Sequence, residues 1–379
     1  MSLKLENESM PITDQLTKEI NLEDTGIIII QHGVKDAINF ALKLKNNSNA
    51  NVLFLPKPFS KKEEDLNYGR ENQLEIIETG DNYKDWLEKP GFLENKLTNF
   101  KNKNGNFLIE VGGISTVSLG EKELKNLEGI VEITTLGHNR HLEKKTNLIT
   151  PIYSIARSPI KEAEAKHVGL AVYRSLDLAL HELERDLTEA KITMVGYGMI
   201  GKSVCNAFKG RCKKINVYDI NPERIKEAKG RFKANDQYSI LVKDSDIIIS
   251  STGSEKSHPI DKDFIDKCKD GVLLVSAGSR QNEIDINYLE EKSENTEQIH
   301  KFIKKYVIGG KSIFVFREGK NANFAGSSCP EKSMDLIHAE TLTCIKKILD
   351  GDFIKEEGLN TTTKKERQAI LDAYKKFWK

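Results

Sequence analysis

The chain has 379 residues, and although 30% of them are charged, its formal net charge is only +1. That length is sufficient for two domains with sizeable apolar cores, while the near balance of charge argues against a protein that binds nucleic acid or a membrane surface through its overall field. No apolar run is long enough to cross a bilayer, and the segment MSLKLENESMPITDQ lacks the apolar stretch of a signal peptide. We therefore expect a soluble cytoplasmic protein whose partner is a small molecule.

The cysteines and histidines do not indicate a metal site. The five cysteines are odd in number and show no CxxC or histidine-paired spacing, which predicts neither a disulfide framework nor a zinc site. His138 and His141 in GHNRH lack an accompanying ligand set. We expect both to be loop histidines, and we expect no bound metal.

The first half of the chain predicts strands that alternate with helices. Residues 1–22 are polar and are expected to form a loosely held lead-in. Four consecutive isoleucines, residues 27–30, predict a buried parallel strand, and the periodicity of VKDAINFALKLK predicts a helix after it. Further strands are predicted for NVLFLP, NFLIEVGG and GIVEITTLG. This alternation is typical of a parallel sheet covered on both faces.

The second half repeats the pattern after a long helical stretch. Residues 158–187 have apolar positions at three- and four-residue spacing, which predicts one long helix or two joined helices. Strand and helix units then continue to about residue 318. A helix after NANFAGSSCPEK and a capped, basic terminal helix in TTTKKERQAILDAYKKFWK complete the predicted elements.

A glycine motif predicts a dinucleotide site at the start of this second half. Gly196, Gly198 and Gly201 spell GxGxxG between the strand ITMV and a helix that begins near Met199 and Ile200. These glycines permit a tight turn, close approach of backbone N–H groups to a pyrophosphate, and close packing of helix on strand. The next strand ends at Asp219, which is placed to accept hydrogen bonds from a ribose 2′-hydroxyl and to repel a 2′-phosphate, so the motif favours NAD over NADP. The alternative is a doubly wound domain that binds nothing.

Two later strand ends place small residues where the rest of a dinucleotide would lie. Thr252 and Gly253 follow one strand, and Ala277 and Gly278 follow another. The alternative for both segments is a plain tight turn.

Six motifs follow one another along the chain: EGIVEITTLGHNRH, TPIYSIARSPIKEAEAKHVG, GYGMIGKS, SSTGSEKSHPIDKDFIDKCKDG, AGSRQNEIDINYL and FREGKNANFAGSSCPEKSMD. In order and spacing they resemble S-adenosylhomocysteine hydrolases, and the resemblance covers roughly residues 25–375. This resemblance implies an α/β fold with two Rossmann-like doubly wound parallel-sheet domains, the NAD domain being inserted into the substrate domain. The implied boundaries are 1–160 for the first segment of the substrate domain, 161–325 for the NAD-binding domain, 326–350 for the returning helix and 351–379 for a C-terminal helical extension.

The resemblance also implies a closed redox cycle, in which bound NAD oxidises a nucleoside 3′-hydroxyl, the 5′ group is eliminated, water is added and the ketone is reduced. Further cofactor contacts are implied at Thr134, Thr135 and Asn323. The family's last segment, which reaches a neighbouring subunit's NAD site, has no counterpart after AYKKFWK. Whether NAD is retained without that segment stays open from the sequence. We expect a homo-oligomer, either a dimer or a tetramer.

The family's acid and base positions are replaced in this chain. Two active-site carboxylates, the aspartate beside the lysine, an asparagine at nicotinamide and two histidines correspond to other residue types. General acid–base steps each contribute about 10²- to 10⁴-fold, so losing several of them predicts that the original cycle is too slow to matter. The replacing residues are Val111, Ile133, Ala165, Lys166, Ser279 and Cys329.

Candidate catalytic residues remain. Lys161 matches the lysine near the oxidised hydroxyl and is assigned as the base, with His32 or Cys329 as the second group. The alternatives are a solvated helical lysine, a histidine that caps its strand, and a small buried thiol.

The candidate substrate contacts are mostly basic. Arg157, Arg280 and Glu132 are assigned to substrate binding, and the arginines, with Lys166, favour a phosphate or carboxylate on the substrate. The alternative is that these arginines are solvated surface charges.

Four functions stay open from the sequence. The first is an NAD-dependent enzyme that oxidises, transiently or permanently, a secondary hydroxyl of a nucleoside- or sugar-like and anionic small molecule. The second is a catalytically inactive NAD-binding protein with a role in regulation or assembly. Genuine S-adenosylhomocysteine hydrolysis is a further alternative, as is an unrelated amino-acid or sugar dehydrogenase.

Overall fold

A computed structural model of the protein describes residues 10–78, 91–253, 258–278, 282–326, 328–356 and 358–378. Its strands are β1 (Gly26–His32), β2 (Asn51–Lys57), β3 (Glu75–Ile76), β4 (Asn106–Glu110), β5 (Leu127–Glu132), β6 (Ile152–Ser154), β7 (Lys191–Val195), β8 (Lys214–Tyr218), β9 (Lys233–Asn235), β10 (Ile247–Ser250), β11 (Val272–Ser276), β12 (Asn295–His300), β13 (Ile303–Ile308), β14 (Lys311–Phe316), β15 (Lys355–Glu356) and β16 (Leu359–Asn360). Its α-helices are α1 (Pro11–Glu19), α2 (Lys35–Ser48), α3 (Glu63–Glu71), α4 (Phe92–Asn99), α5 (Ser115–Ser118), α6 (Glu121–Lys125), α7 (Thr135–Lys144), α8 (Lys161–Glu182), α9 (Met199–Phe208), α10 (Pro222–Lys229), α11 (Tyr238–Val242), α12 (Lys262–Asp266), α13 (Ile286–Lys292), α14 (Glu331–Leu349) and α15 (Lys364–Phe377).

The chain divides into two compact units. The first unit combines the described residues of Met1–Lys161 with those of Pro330–Lys379, and the second unit is Glu162–Cys329. The second unit is therefore inserted into the sequence of the first. Helix α8 begins at Lys161, the last residue before the insertion, and runs as a single helix to Glu182.

The first unit is built on a sheet with the strand order β15-β16-β6-β5-β4-β1-β2-β3. All neighbouring pairs are parallel except β15 and β16, which are antiparallel. The four isoleucines of β1 are fully buried, as the apolar run predicts for a central strand covered on both faces. The strand order reverses direction between β1 and β4, which makes the carboxyl edge of these strands the expected position of a ligand.

The second unit has its own sheet, with the order β12-β13-β14-β11-β10-β7-β8-β9. Five of its neighbouring pairs are parallel, and β12, β13 and β14 form an antiparallel edge. The switch in strand order lies between β7 and β10, next to the GxGxxG segment. The predicted α/β class with two doubly wound, mainly parallel sheets is confirmed.

The prediction of a loosely held lead-in is wrong for the described residues of that segment. Residues 11–19 form α1, which packs against α2 and α14. Its first turn is fixed by the buried carboxylate of Asp335 in α14, which accepts hydrogen bonds from Ile12 N (3.1 Å), Thr13 N (2.8 Å) and Thr13 Oγ1 (2.7 Å). An anionic group at a helix N-terminus satisfies N–H groups that have no partner inside the helix.

The terminal helix is confirmed together with its cap. Thr363 and Glu366 form a reciprocal capping box at the start of α15. After this helix, Trp378 Nε1 donates to Asp335 Oδ2 at 2.7 Å, so one carboxylate fastens both α1 and the residue that follows α15. Within the described ranges, no helix has both the length and the apolar composition needed to cross a membrane.

Candidate functional site

The turn between β7 and α9 has the geometry that the glycine motif requires. Gly196 has a φ of +89°, a backbone conformation that side chains disfavour, and its N–H donates to Tyr218 O at 2.8 Å. A Cβ on Gly201 would lie 2.0 Å from Gly196 O, so helix and turn pack too closely for a side chain there. The sequence folds in this way because only glycine fits both positions.

The helix that follows presents its N-terminus at this turn. Gly198 is the N-cap of α9, and Met199 and Ile200 form the first helical positions and are partly exposed. A Cβ on Gly198 would meet nothing nearer than Arg224 Nη1, at 3.8 Å. The N–H groups of this helix end have the arrangement that binds the pyrophosphate of a dinucleotide.

Asp219 fixes the turn from the end of the neighbouring strand. Its buried carboxylate accepts hydrogen bonds from Tyr197 N (2.6 Å) and Asn221 N (2.8 Å). Arg224 Nη1 lies 3.6 Å from Asp219 Oδ2, a pairing that the motif alone did not predict. The Asp219 carboxylate therefore lies beside the glycine turn, where a ribose would lie.

Sequence reasoning missed Glu283, which organises the two other predicted strand ends. Its buried carboxylate accepts hydrogen bonds from Ser250 Oγ (2.5 Å), Thr252 N (3.0 Å) and Gly253 N (3.1 Å). Gly278 lies so close that a Cβ there would be 2.3 Å from Glu283 Oε1. One carboxylate thus shapes both loops at the carboxyl edge of this sheet.

We expect Glu283→Gln to destabilise the protein by about 2 kcal/mol and to weaken cofactor binding, because an amide N–H would face backbone N–H donors at Thr252 and Gly253. Urea unfolding and calorimetric titration with NAD measure both effects. Glu290→Gln on α13 is the matched control, since Glu290 is exposed and forms only a 3.9 Å pair with Lys304. Equal stability and affinity in the two variants would contradict this role for Glu283.

A buried acceptor near the same edge has no hydrogen-bond partner among the described residues. Ala277 is buried, with its N–H donating to Ser250 O at 2.8 Å. Asn323 is buried and donates from Nδ2 to Ser328 Oγ at 2.6 Å, while Asn323 Oδ1 has no hydrogen-bond partner among the described residues. An acceptor left in this state fits a bound group that carries N–H or O–H donors, such as a carboxamide.

Some predicted contacts lie elsewhere. Arg280 and Ser279 lie outside the described residues. Thr134 and Thr135 belong to the first unit, where the Thr134 side chain caps α7 by accepting from Gly137 N at 3.2 Å. Their contact with a cofactor stays a prediction.

In the first unit, polar side chains end five neighbouring strands of the sheet. These residues share the carboxyl edge, since the strands are parallel. The strands end at Ser154, Glu132, Glu110, His32 and Lys57. The side chains at this edge form a basic group around His32 and an acidic group around Glu110.

His32 lies in the basic group. Its Nδ1 is 2.5 Å from Ser60 Oγ. Burial, followed by the charges of Lys57 and Lys161, lowers the pKa of His32 well below its usual value. The imidazole is therefore neutral at pH 7. It can accept a hydrogen bond from a substrate hydroxyl, or donate one to a substrate oxygen, without adding charge.

Sequence reasoning missed Lys57. This lysine is only 1% exposed, its Nζ donates to Val111 O at 3.0 Å, and it lies over the Phe59 ring at 5.3 Å. A lysine as the last residue of an apolar strand, in the segment NVLFLPK, was the available signal. Its ammonium group adds positive charge beside His32.

Lys161 occupies the first position of α8 and is buried. Its backbone N–H donates to Ser158 O at 3.0 Å. Lys161 and His32 lie in the first unit, whereas Cys329 lies in the second, with its Sγ 3.9 Å from Glu164 O. The structure thus brings two of the three predicted catalytic residues into one electrostatic environment.

The acidic group has the spacing of a metal site. Ligand atoms of Glu110, Glu132 and His141, all buried, lie within 4.8 Å of one another. Glu132 nevertheless accepts hydrogen bonds from Gly113 N (2.8 Å), Thr134 N (2.5 Å) and other donors. Because these donors point at the Glu132 carboxylate, we interpret the group as a hydrogen-bond network that holds the turns after β4 and β5, and not as a metal site.

Proton binding distinguishes the two carboxyls of this group. Burial and the neighbouring Glu110 charge raise the pKa of Glu132. Burial also disfavours ionisation of Glu110, but His141, with Nε2 at 2.9 Å, and the hydrogen bonds from Ser115 together outweigh it and lower the pKa of Glu110. Glu132 was assigned to substrate binding, and this assignment stays a prediction.

The expectation of loop histidines is wrong. His138 and His141 are buried residues of α7. His138 Nδ1 lies 2.9 Å from Ser154 Oγ, and His141 Nδ1 lies 3.0 Å from Thr146 Oγ1. The buried side of helix α7 is formed largely by polar residues, so the sequence shows no apolar stripe that would predict the helix. Arg157, in contrast, is exposed and donates to Asn139 Oδ1 at 3.1 Å.

Comparison with known proteins finds similarity to one family. The adenosylhomocysteinase of Aeropyrum pernix is 26% identical over 240 residues, covering 61% of this chain and 55% of the relative. That of Gloeothece citriformis is 25% identical over 353 residues, covering 88% and 78%. Residues 183–329 match the family model of the S-adenosyl-L-homocysteine hydrolase NAD-binding domain. The chain is thus similar to S-adenosylhomocysteine hydrolases, and the similarity to the family model lies in the second unit.

The second unit thus matches an NAD-binding domain, and NAD is its cofactor. The glycine turn, the helix N-terminus, Asp219 and the buried acceptor of Asn323 fit this group. Another relative, the S-inosyl-L-homocysteine hydrolase of Methanocaldococcus jannaschii, is 27% identical over 234 residues, covering 60% of this chain and 54% of that protein. The chain thus spans little more than half the length of several curated relatives that it matches.

Proposed function

We propose that the protein is an NAD-dependent enzyme that oxidises a secondary hydroxyl of a nucleoside- or sugar-like, anionic small molecule. The observation that supports it most is the basic group at the carboxyl edge of the first sheet. There the charges of Lys57 and Lys161 contribute to the lowered pKa of His32. By the resemblance, two carboxylates of the family correspond to Val111 and Ile133, and both of these apolar residues are buried. Positive charge without those acids favours a phosphate or carboxylate on the substrate.

The chemistry divides between the two units. NAD, when bound, supplies the hydride acceptor. Lys161 takes the proton of the substrate hydroxyl, and the neutral imidazole of His32 binds a substrate oxygen. Lys57 attracts the anionic group, and the burial of Lys57 and Lys161 strengthens these interactions relative to water.

The remaining assignments belong to the same proposal. The first unit binds substrate and the second binds NAD, and the protein acts as a dimer or tetramer. Cys329 is kept as an alternative second group. Thr134, Thr135 and Asn323 contact the cofactor, and Arg157, Arg280 and Glu132 contact the substrate.

Substrate screening tests the proposal. The purified protein with NAD is mixed with nucleosides, nucleotides and sugar phosphates, and reduced nicotinamide is followed by its absorbance. We expect reduction by at least one anionic compound and a loss of at least about 100-fold in Lys161→Gln, since a general base contributes that much or more. Lys122→Gln is the matched control, because Lys122 is an exposed lysine of helix α6 in the same unit and has no proposed role.

Two outcomes would contradict the proposal. NAD binding without reduction by any compound would favour a regulatory or assembly protein, which the buried Val111 and Ile133 at acid positions also fit. Release of adenosine from S-adenosylhomocysteine would instead indicate a genuine hydrolase.

A further inference from the structure

Backbone donors surround the Asp219 carboxylate at the carboxyl edge of the second sheet. Asp219 directly follows β8, and its side chain is 3% exposed. Its Oδ2 accepts a hydrogen bond from Tyr197 N at 2.6 Å, and its Oδ1 accepts one from Asn221 N at 2.8 Å. Tyr197 belongs to the glycine turn, and Asn221 is the N-cap residue of α10. Two separate backbone segments therefore direct their N–H groups at the same side chain.

Arg224 brings a guanidinium to the same place. It is the third residue of α10, and its Nη1 lies 3.6 Å from Asp219 Oδ2. That separation is longer than a hydrogen bond, and 46% of the Arg224 side chain is exposed. Among the described residues, Asp219 is the only carboxylate with which Arg224 forms an ion pair. The guanidinium therefore keeps N–H donors that a ligand can use.

The guanidinium also lies beside the glycine turn. A Cβ built on Gly198 would be 3.8 Å from Arg224 Nη1 and 3.9 Å from Arg224 Cζ. In a dinucleotide-binding unit, the pyrophosphate approaches this glycine and the ribose 2′ position lies at the acid after the second strand. Glu227, one turn further along α10, pairs with Lys202 at 2.6 Å and does not compete for Arg224. Arg224 is thus placed to contact a group at the ribose 2′ position.

These donors have the composition of a phosphate site. Backbone N–H groups and a guanidinium are the groups that proteins commonly use to bind phosphate oxygens. Here the acceptor that they surround is the carboxylate of the protein itself. Without that carboxylate, Tyr197 N and Asn221 N would lose their acceptor, and a 2′-phosphate could take its place.

We propose that Tyr197 N, Asn221 N and Arg224 form a site for the 2′-phosphate of NADP, and that Asp219 fills this site with its own carboxylate. Arg224 is then a specificity-determining residue, and the choice of NAD depends on Asp219 alone. The inference concerns the choice of cofactor and does not depend on the reaction proposed above.

Replacing Asp219 with serine tests the proposal by binding alone. Cofactor-free wild type and Asp219→Ser are titrated in a calorimeter with NAD and with NADP. We expect the ratio of the two dissociation constants to change by at least about 100-fold in favour of NADP, because charge-assisted hydrogen bonds replace a repulsive neighbour. Asp261→Ser is the matched control, since Asp261 also accepts from a backbone N–H, that of Phe264 at 2.9 Å, and should leave the ratio unchanged.

A second replacement assigns the effect to Arg224. In the Asp219→Ser protein, Arg224→Gln should lower the affinity for NADP by about 10-fold, as for loss of a hydrogen bond to a charged group. The affinity for NAD should change by less than about 3-fold. Arg231→Gln in the same protein is the matched control, because Arg231 is exposed in the same unit and donates to Asn206 Oδ1 at 3.4 Å.

A further variant keeps the test decisive if Asp219→Ser does not fold. Asp219→Asn retains one oxygen acceptor for the backbone donors but removes the charge, so the preference for NAD should narrow by about 10-fold. An unchanged ratio in a folded Asp219 variant, or equal losses for NAD and NADP on replacing Arg224, would overturn the proposal while leaving the NAD site in place. A wild-type protein that binds neither dinucleotide would overturn both.

Discussion

Replacing Gly198 with valine is expected to abolish NAD binding in a protein that still folds. The backbone at Gly198 has a φ of −73°, which any residue adopts. A Cβ at this position would lie 3.8 Å from its nearest neighbour, Arg224 Nη1, so the protein itself leaves room for a side chain. The new side chain would instead occupy the position in which a pyrophosphate approaches α9. We expect affinity for NAD to fall at least about 100-fold, or ~2.7 kcal/mol, with the melting temperature of the apoprotein changed by less than about 2 °C.

Gly201→Ala is the contrasting variant, measured by calorimetry and thermal melting in the same way. A Cβ there would lie 2.0 Å from Gly196 O, so this change should destabilise the second unit itself. Wild-type NAD affinity in a folded Gly198→Val protein would show that the dinucleotide does not bind at this turn.

Replacing Asp335 with alanine is expected to cost about 3–5 kcal/mol of unfolding free energy, the largest stability effect that we predict. The carboxylate accepts four hydrogen bonds, two from the first N–H groups of α1 and the others from Thr13 Oγ1 and Trp378 Nε1. All four donors would lose their partner in a buried position. Urea unfolding followed by tryptophan fluorescence measures the change, because Trp378 reports directly on this contact.

Asp372→Ala on α15 is the control for Asp335. Asp372 is exposed and pairs at the surface with Gln368 and Lys375, so its loss should change stability by less than about 0.5 kcal/mol. If Asp335→Ala changed the free energy of unfolding as little as Asp372→Ala does, α1 and Trp378 would not depend on the Asp335 carboxylate.

The parts of the fold that follow from local pattern were predictable. The isoleucine run gave β1 because a strand covered on both faces needs continuous apolar residues, and the glycine spacing located the β7–α9 turn because no other residue fits. Terminal helix α15 was indicated by its capping box.

The features that were missed depend on partners far away in the sequence. Helix α1 is held by Asp335, 323 positions from Ile12, and its polar sequence gives no sign of that anchor. Glu283 acts on a loop 30 to 33 positions earlier, and Glu340 on Ser158, 182 positions earlier. No single-sequence pattern connects such pairs, so buried polar contacts of this kind required the structure.

The central claim is that the second unit holds NAD at the glycine turn beside Asp219. Its most direct test is to denature the purified protein, identify released dinucleotides by mass spectrometry, and titrate any cofactor-free fraction with NAD and with NADP. We predict about one NAD per chain at saturation, with NADP bound more weakly because Asp219 repels a 2′-phosphate. Binding of neither dinucleotide, or preference for NADP through Arg224, would contradict the account.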